Sequence, residues 1–376
     1  MDCIKKSTLL LFTLGLLGIL YLWIVHIDRY VMSPDFLQLK KTKHHSGCRG
    51  TTLHFPLPNQ KGVGSKSNVS CGDSVIDKMM EGYSLNWNRN ETNSQQFRVL
   101  LTNKWHGASK AVVTQANTPV GSTVTYDGES KRKLKLTLKV DAELFSLFPK
   151  ESPFVNKTWD TCSVVGNGGI LTNSSCGPLI DSAQFVIRCN LPPIENDYEK
   201  DVGSKSDLVT ANPSIIHDKF NDLVWRRKPF IDKLRSYGNA LIFLPAFSYS
   251  QNTARSQRAS YTAEEFQSPA RLVYMSPEYL RNVALFWNSQ GIRAKRLSTG
   301  LIVTSLALEL CSNVHLYGFW PFSKHPHTCQ ALTNHYYDDA QFKKNSHAMP
   351  SEFGLLLRLH NQGILRLHLG QCPSCS

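Results

Sequence analysis

Two histidines near the carboxyl terminus stand at spacings suited to proton transfer. His335-Tyr-Tyr-Asp338 puts one imidazole three residues before a carboxylate, and His347-Ala-Met-Pro-Ser-Glu352 puts another five residues before one. An imidazole can take a proton from a hydroxyl near neutral pH, and a nearby carboxylate can hold or tune it. A lone histidine is more often structural, but two such pairs in a chain that also carries an anion cradle point to catalysis. Two segments are candidates for that cradle. Gly166-Asn-Gly-Gly169 follows an apolar run, and glycines there let a backbone approach a ligand closely and leave N–H groups for an anion. Ser298-Thr299-Gly300 opens a second apolar run, with Ser298 placed to cap a helix whose first N–H groups attract a carboxylate or phosphate. Asn167 and Asn190, each just past an apolar run, are candidate amide donors to a phosphate or a sugar edge. Trp320 either stacks on a base or packs in the core.

The elements that must position these residues alternate. Ser163–Val165, Phe185–Cys189, Asp207–Ala211, Leu241–Leu244 and Val314–Tyr317 are short apolar runs, as in strands buried on both faces by helices. Helical stretches lie between them, around 215–225, 277–290 and 299–310. The alternation predicts an α/β fold, a Rossmann-like doubly wound, mostly parallel sheet with ligands at the strand carboxyl ends. Residues 131–140 alternate basic and apolar side chains, the period of a half-buried edge strand; gripping an anionic acceptor is the alternative. The glycine turn is not a dinucleotide fingerprint. Leu171 stands at the third glycine's place and Asn190 where a ribose-binding acid belongs, which disfavours an NAD-dependent oxidoreductase.

Composition narrows the class. The 376 residues carry a formal charge of +13, compatible with a membrane surface or anionic substrates. No zinc finger, RNA-binding aromatic motif or long lysine run supports nucleic acid. Residues 8–25 are uncharged and long enough to span a bilayer, and Lys5 and Lys6 precede them. We therefore expect a cytosolic tail (1–7), an uncleaved anchor (8–25), a luminal stem (26–100) and a luminal catalytic domain (101–376). Sequons at Asn68, Asn90, Asn156 and Asn173 fit that topology, as do ten cysteines, which an oxidising compartment uses as bridges. The one C-x-x-C, Cys372 to Cys375, has no second pair with which to hold zinc.

Together these segments resemble the animal sialyltransferases. Cys162–Pro213 is similar to the family's long motif and Arg296–Trp320 to its short motif. His335–Asp338 resembles the third motif, and His347 with Glu352 the very short motif. The wording Gly-Asn-Gly-Gly-Ile-Leu, Arg-Cys-Asn-Leu-Pro-Pro and Tyr-Gly-Phe-Trp-Pro-Phe resembles the alpha-2,8 branch, type VI first and then types V and I. The resemblance implies a GT-A-like variant of the doubly wound fold in a type II Golgi enzyme. That enzyme would transfer sialic acid from CMP-sialic acid, with inversion and without a metal, onto a sialylated glycoprotein or glycolipid. No D-x-D triad is present, in keeping with that expectation. By the same resemblance Asn167 and Asn190 contact the donor, and Ser298, Thr299 and Gly300 hold its phosphate or carboxylate. Trp320 lies by the nucleotide, His335 and Tyr336 lie near the leaving phosphate, and His347 is the general base. Disulfides Cys162–Cys311 and Cys176–Cys372 are implied too. Cys329 and Cys375 have no implied partner, and homo-oligomerisation is compatible with the family. Two departures stand out: Asn334 replaces a histidine, and Asn345-Ser346 replaces the Gly-Phe that usually precedes the catalytic histidine. A luminal glycan-binding protein on the same fold is the non-enzymatic alternative.

Overall fold

Seven parallel strands carry the molecule, several of them short runs of apolar residues shielded on both faces. The computed structural model describes residues 71–105, 107–128, 136–294, 296–340 and 349–373. The apolar run 8–25, Asn68, residues 131–135, His347 and Cys375 lie outside the described residues. A small antiparallel pair, β1 (Thr123–Thr125) and β2 (Thr137–Lys139), precedes the main sheet. The main sheet contains β3 (Trp159–Val165), β4 (Phe185–Arg188), β5 (Leu208–Thr210) and β6 (Leu241–Leu244). It is completed by β7 (Arg271–Tyr274), β8 (Cys311–Tyr317) and β9 (Arg366–His368), in the order β7-β6-β5-β4-β3-β8-β9.

Alternate residues along each strand enter opposite cores. Leu208, Leu241 and Phe243 join one cluster, while Val209, Ile242 and Leu244 join the other. The helices used below are α1 (Ser74–Glu81), α2 (Glu91–Trp105), α3 (Pro213–Phe220), α4 (Ser250–Glu265), α5 (Pro277–Ser289), α6 (Thr299–Leu310) and α7 (Met349–Asn361). From β3 the chain steps outward to β7, then returns to lay β8 on the other side of β3. Connections thus diverge at the β3/β8 boundary, and ligands in such sheets bind outside the carboxyl ends near that switch.

Three features differ from the sequence expectations. The stretch 26–100 assigned to the stem contains α1 and the first two turns and more of α2, and Ile76 of α1 is buried in the core. The helix expected over 215–225 stops at Phe220, and Asn221, Asp222 and Leu223 all take positive φ. The Asp222 carboxylate accepts from Arg255 Nε at 2.6 Å and pairs with His217 Nδ1 at 2.8 Å, which holds that left-handed run in place. Strands β7 and β9 were not anticipated, because Arg271-Leu-Val-Tyr and Arg366-Leu-His are too short and polar to stand out.

Three disulfides brace the fold. Cys162 is joined to Cys311 across β3 and β8, Cys176 to Cys372, and Cys329 to Cys71. The last pair supplies the partner that the sequence left open for Cys329. Cys189 is free and buried, and burial pushes its thiol up to about 12.

Candidate active site

The described residues among those predicted gather along the carboxyl edge of the sheet, while His347 lies outside the described residues. Gly166–Gly169 leaves the end of β3, and its backbone is committed to neighbouring segments. Gly166 N–H donates to Tyr317 O at 2.8 Å and Gly168 N–H to Gly318 O at 3.1 Å. A β-carbon at Gly168 would lie 2.6 Å from Gly318 O, and one at Gly169 would meet Thr333 O. These glycines therefore serve close packing between chain segments, and the N–H groups of Gly166 and Gly168 are not free for an anion. That corrects the simplest reading of the turn.

Asn167 and Asn190 are the polar ends of this platform. Asn167 Nδ2 donates to Cys189 O at 2.8 Å, and its buried Oδ1 has no partner. One Asn167 amide hydrogen is thus spent on the protein, and the side-chain oxygen is left unpaired. An unpartnered buried acceptor of this kind is costly. Asn190 sits at φ 64, a conformation asparagine tolerates. Its N–H donates to Thr210 Oγ1 at 2.9 Å, and its Oδ1 accepts from the same hydroxyl at 3.2 Å. The Asn190 amide nitrogen is left to donate outward. The strand beneath is held by Arg188, fully buried, which donates to the carbonyls of Val202 and Lys205.

The second wall is the start of α6. Ser298 caps it, its Oγ accepting from Leu301 N at 3.1 Å. Glu352, only 3% exposed at the start of α7, accepts from Ser298 N at 3.0 Å and also from Ser298 Oγ. Sequence reasoning cast Glu352 as an aid to a histidine; the structure gives both its oxygens to Ser298. Asn212, the residue after Ala211 at the end of β5, donates to Thr299 Oγ1 at 3.4 Å and ties the two walls together. Gly300 leaves room for the Phe319 ring, which a β-carbon would meet at 2.8 Å.

The third element is the loop 333–338. Tyr336 N–H donates to Asn167 O at 3.0 Å, and the Tyr336 hydroxyl donates to Pro193 O at 2.5 Å. Tyr336 is therefore a strut between segments, with burial raising its phenol pKa. His335 Nδ1 lies 2.7 Å from Asp338 Oδ2 and its Nε2 lies 3.2 Å from Asn334 Nδ2. A proton on Nδ1 satisfies Asp338 and leaves Nε2 to accept from the asparagine amide. Trp320 presents no ring face outward. It is 3% exposed, donates Nε1–H to Lys324 O at 2.8 Å and meets Phe322 and Phe353 edge-on, so it packs in the core.

Beside this platform lies a cavity of about 240 Å³ over the ends of β5, β6 and β7. Asn212, Thr299, Asp127, Arg281 and Arg296 are among its walls. No sequence motif pointed to it; the residues just beyond each strand were the available signal. Among the described residues no three His, Cys, Asp or Glu side chains cluster as metal ligands. Of the sequon asparagines, Asn90, Asn156 and Asn173 are exposed. No described helix is long and apolar enough to cross a membrane.

The sequence profile of glycosyltransferase family 29 (sialyltransferase) matches residues 112–364, a range that holds the sheet up to β8 and the whole platform. The chain belongs to that family. It is 43% identical to human Alpha-2,8-sialyltransferase 8F over 316 residues, 83% of this chain and 78% of that one. It is 45% identical to human Alpha-2,8-sialyltransferase 8E over 301 residues, 80% of this chain and 79% of the relative. The bovine Alpha-N-acetylneuraminide alpha-2,8-sialyltransferase is 45% identical over 290 residues, 77% and 80% of the two chains. A solved mammalian sialyltransferase is 18% identical, covering 80% of this chain and 97% of its own, with a TM-score of 0.42. The family 29 chain is thus a glycosyltransferase, and the described parts of its motif segments meet at one edge of one sheet.

Proposed function

We propose that this family 29 enzyme transfers sialic acid from CMP-sialic acid to O8 of a terminal sialic acid on a glycoprotein or glycolipid glycan. The observation that carries the reading is the bonded platform: Asn167, Asn190, Asn212, Thr299, Ser298 and Glu352 link segments far apart in sequence into one polar edge. The names of the most similar relatives support the alpha-2,8 linkage.

In this mechanism the bond between the donor's anomeric carbon and the phosphate oxygen breaks, and its electron pair leaves with CMP. The acceptor O8 attacks from the opposite face, so the anomeric centre inverts, and His347 takes the hydroxyl proton. The oxocarbenium-like character of such a centre makes one base on the acceptor side enough. Asn167 Oδ1 and Asn190 Nδ2 orient the nucleotide and sugar. The Thr299 and Gly300 N–H groups and the Thr299 hydroxyl, at the positive end of α6 behind the Ser298 cap, stabilise charge on the departing phosphate, with His335 beside it. None of these steps draws on a metal.

We read residues 8–25 as a Golgi signal-anchor that leaves the body luminal; the bridged cysteines and exposed sequon asparagines support an oxidising compartment. The test is release of CMP from CMP-sialic acid with α-2,3-sialyllactose as acceptor, followed by linkage analysis of the product. We expect CMP and an alpha-2,8 disialyl product, lost in His347→Ala while CMP still binds. Absence of CMP release with every sialylated acceptor would favour the glycan-binding protein instead.

A further inference from the structure

The cavity over β5 to β7 shares Asn212 and Thr299 with the platform and extends beyond it. Asn167 and Asn190 follow β3 and β4, whereas the cavity is bounded by Asn212, Pro245 and Met275, which follow β5, β6 and β7. Strands are spaced about 4.8 Å apart, so the cavity is centred roughly three spacings, about 14 Å, from Asn167. That is the length of one or two sugar rings. Thr299 belongs to both, at the start of α6 and in the cavity wall.

Its chemistry is specific. Arg281 enters from α5, and Arg296 precedes the Ser298 cap, with its guanidinium over the Tyr249 ring at 5.6 Å. One carboxylate, Asp127, opposes these two cations. It is fixed by backbone bonds, Asp127 N–H to Phe247 O at 3.0 Å and Gly128 N–H to Ser248 O at 2.8 Å. Gly128 is needed there because a β-carbon would press on Tyr249. Among the described lining residues the charged side chains are Arg281, Arg296 and Asp127, two cations to one carboxylate. Leu280, Ala284 and Leu285 give an apolar side. Burial raises the Asp127 carboxyl against the opposing pull of Arg281 and Arg296.

We propose that this cavity is the acceptor subsite, in which Arg281 and Arg296 bind the carboxylate of the acceptor's terminal sialic acid while the apolar side receives its N-acetyl methyl. The proposal rests on the alpha-2,8 transfer proposed above, in which the acceptor as well as the donor carries a sialic acid carboxylate. Two guanidiniums suit that group because a planar fork matches a carboxylate in two places. Asp127 keeps the cavity from being a general anion trap and favours a ligand that also brings hydroxyl donors.

The test measures initial rates with α-2,3-sialyllactose and with its carboxyl methyl ester, for the wild type, Arg281→Met and Arg296→Met. We expect the acceptor KM to rise about 10- to 100-fold in each variant, the loss of a charge-assisted hydrogen bond, with the KM for CMP-sialic acid within about twofold of wild type. The wild type should prefer the acid to the ester, and the variants should lose that preference. Arg281→Lys and Arg296→Lys, which keep charge and stem but not the fork, should recover part of it. Wild-type acceptor KM in both Met variants, or an undiminished preference for the acid, would overturn the subsite. If the wild type transfers nothing to the sialylated acceptor, the function itself fails, a result distinct from transfer that ignores the arginines.

Discussion

Replacing Glu352 tests how the cradle is held. Its carboxylate is buried and gives both oxygens to Ser298, one to the N–H at 3.0 Å and one to the hydroxyl. Ser298 in turn caps α6 through Leu301 N. In Glu352→Ala two hydrogen bonds to a charged acceptor vanish, each worth about 1.5–3 kcal/mol. Relief from burying the charge returns part of this. The expected net loss is about 3 kcal/mol of folding stability, with the Ser298 N–H left unpaired. Glu352→Gln keeps one acceptor for that N–H but turns an NH2 toward a hydroxyl that already accepts from Leu301. Loss of about 1.4 kcal/mol at the cradle corresponds to a tenfold weaker CMP affinity. Urea unfolding gives the first quantity and calorimetric CMP titration the second. The alternative role, a carboxylate tuning His347, predicts something else: an acidic limb of the pH–rate profile that moves while CMP affinity stays put. That pattern in Glu352→Gln, or wild-type CMP affinity in both variants, would refute the positioning role.

Two further outcomes follow from the packing. Gly168→Ala would put a β-carbon 2.6 Å from Gly318 O, so we expect about 1–3 kcal/mol of destabilisation and weaker CMP binding; unchanged melting and affinity would show that the turn yields freely. His315 Nδ1 and His368 Nε2 lie 3.0 Å apart, stacked beside Arg366, and burial is the main cause lowering both pKa values, His315 from 6.5 to about 4. Stability from these groups is therefore full above pH 6.5 and falls as pH drops toward 4, because the unfolded chain takes up protons the native state refuses. Between pH 6.5 and 5 the loss from His315 is about 2 kcal/mol, read as a fall in the urea midpoint that His315→Asn should lessen; an unchanged slope in that variant refutes the assignment.

Much of the fold was legible because its strands are fully buried. Phe185-Val-Ile-Arg and Leu241-Ile-Phe-Leu are apolar on both faces, and only helices on both sides of a sheet produce that pattern. Strand β9 was not legible, since it lies at the edge and earns its place through partners: Tyr83 Oη donates to Leu367 O and Trp87 Nε1 to Leu365 O. Those same bonds explain why the segment around 71–105 belongs to the body despite its polar composition. At the site, residue types were readable and orientations were not. Asn167 stands out by residue type, but how its amide is turned depends on Cys189 O, whose position no local pattern encodes. Trp320 in the sequence fits either a base or a core; only Phe322 and Phe353 decide.

A common logic links these residues. Each polar group of the platform spends one end on a neighbouring segment: Asn167 Nδ2 on Cys189, Asn190 Oδ1 on Thr210, Ser298 Oγ on Glu352, His335 Nδ1 on Asp338. The other end of Asn167 and of Asn190 is then fixed in direction before a ligand arrives. A reaction that expels a phosphate gains most from dipoles already aimed, because nothing need reorganise as charge develops. The glycines are the other half of this arrangement. By removing β-carbons at 166, 168 and 169 they let the ends of β3 and β8 and the Thr333 backbone touch, so segments 150 residues apart share one rigid edge. Substitutions at residues that never meet the substrate, Thr210 and Glu352 among them, should therefore be felt in donor affinity as well as in stability.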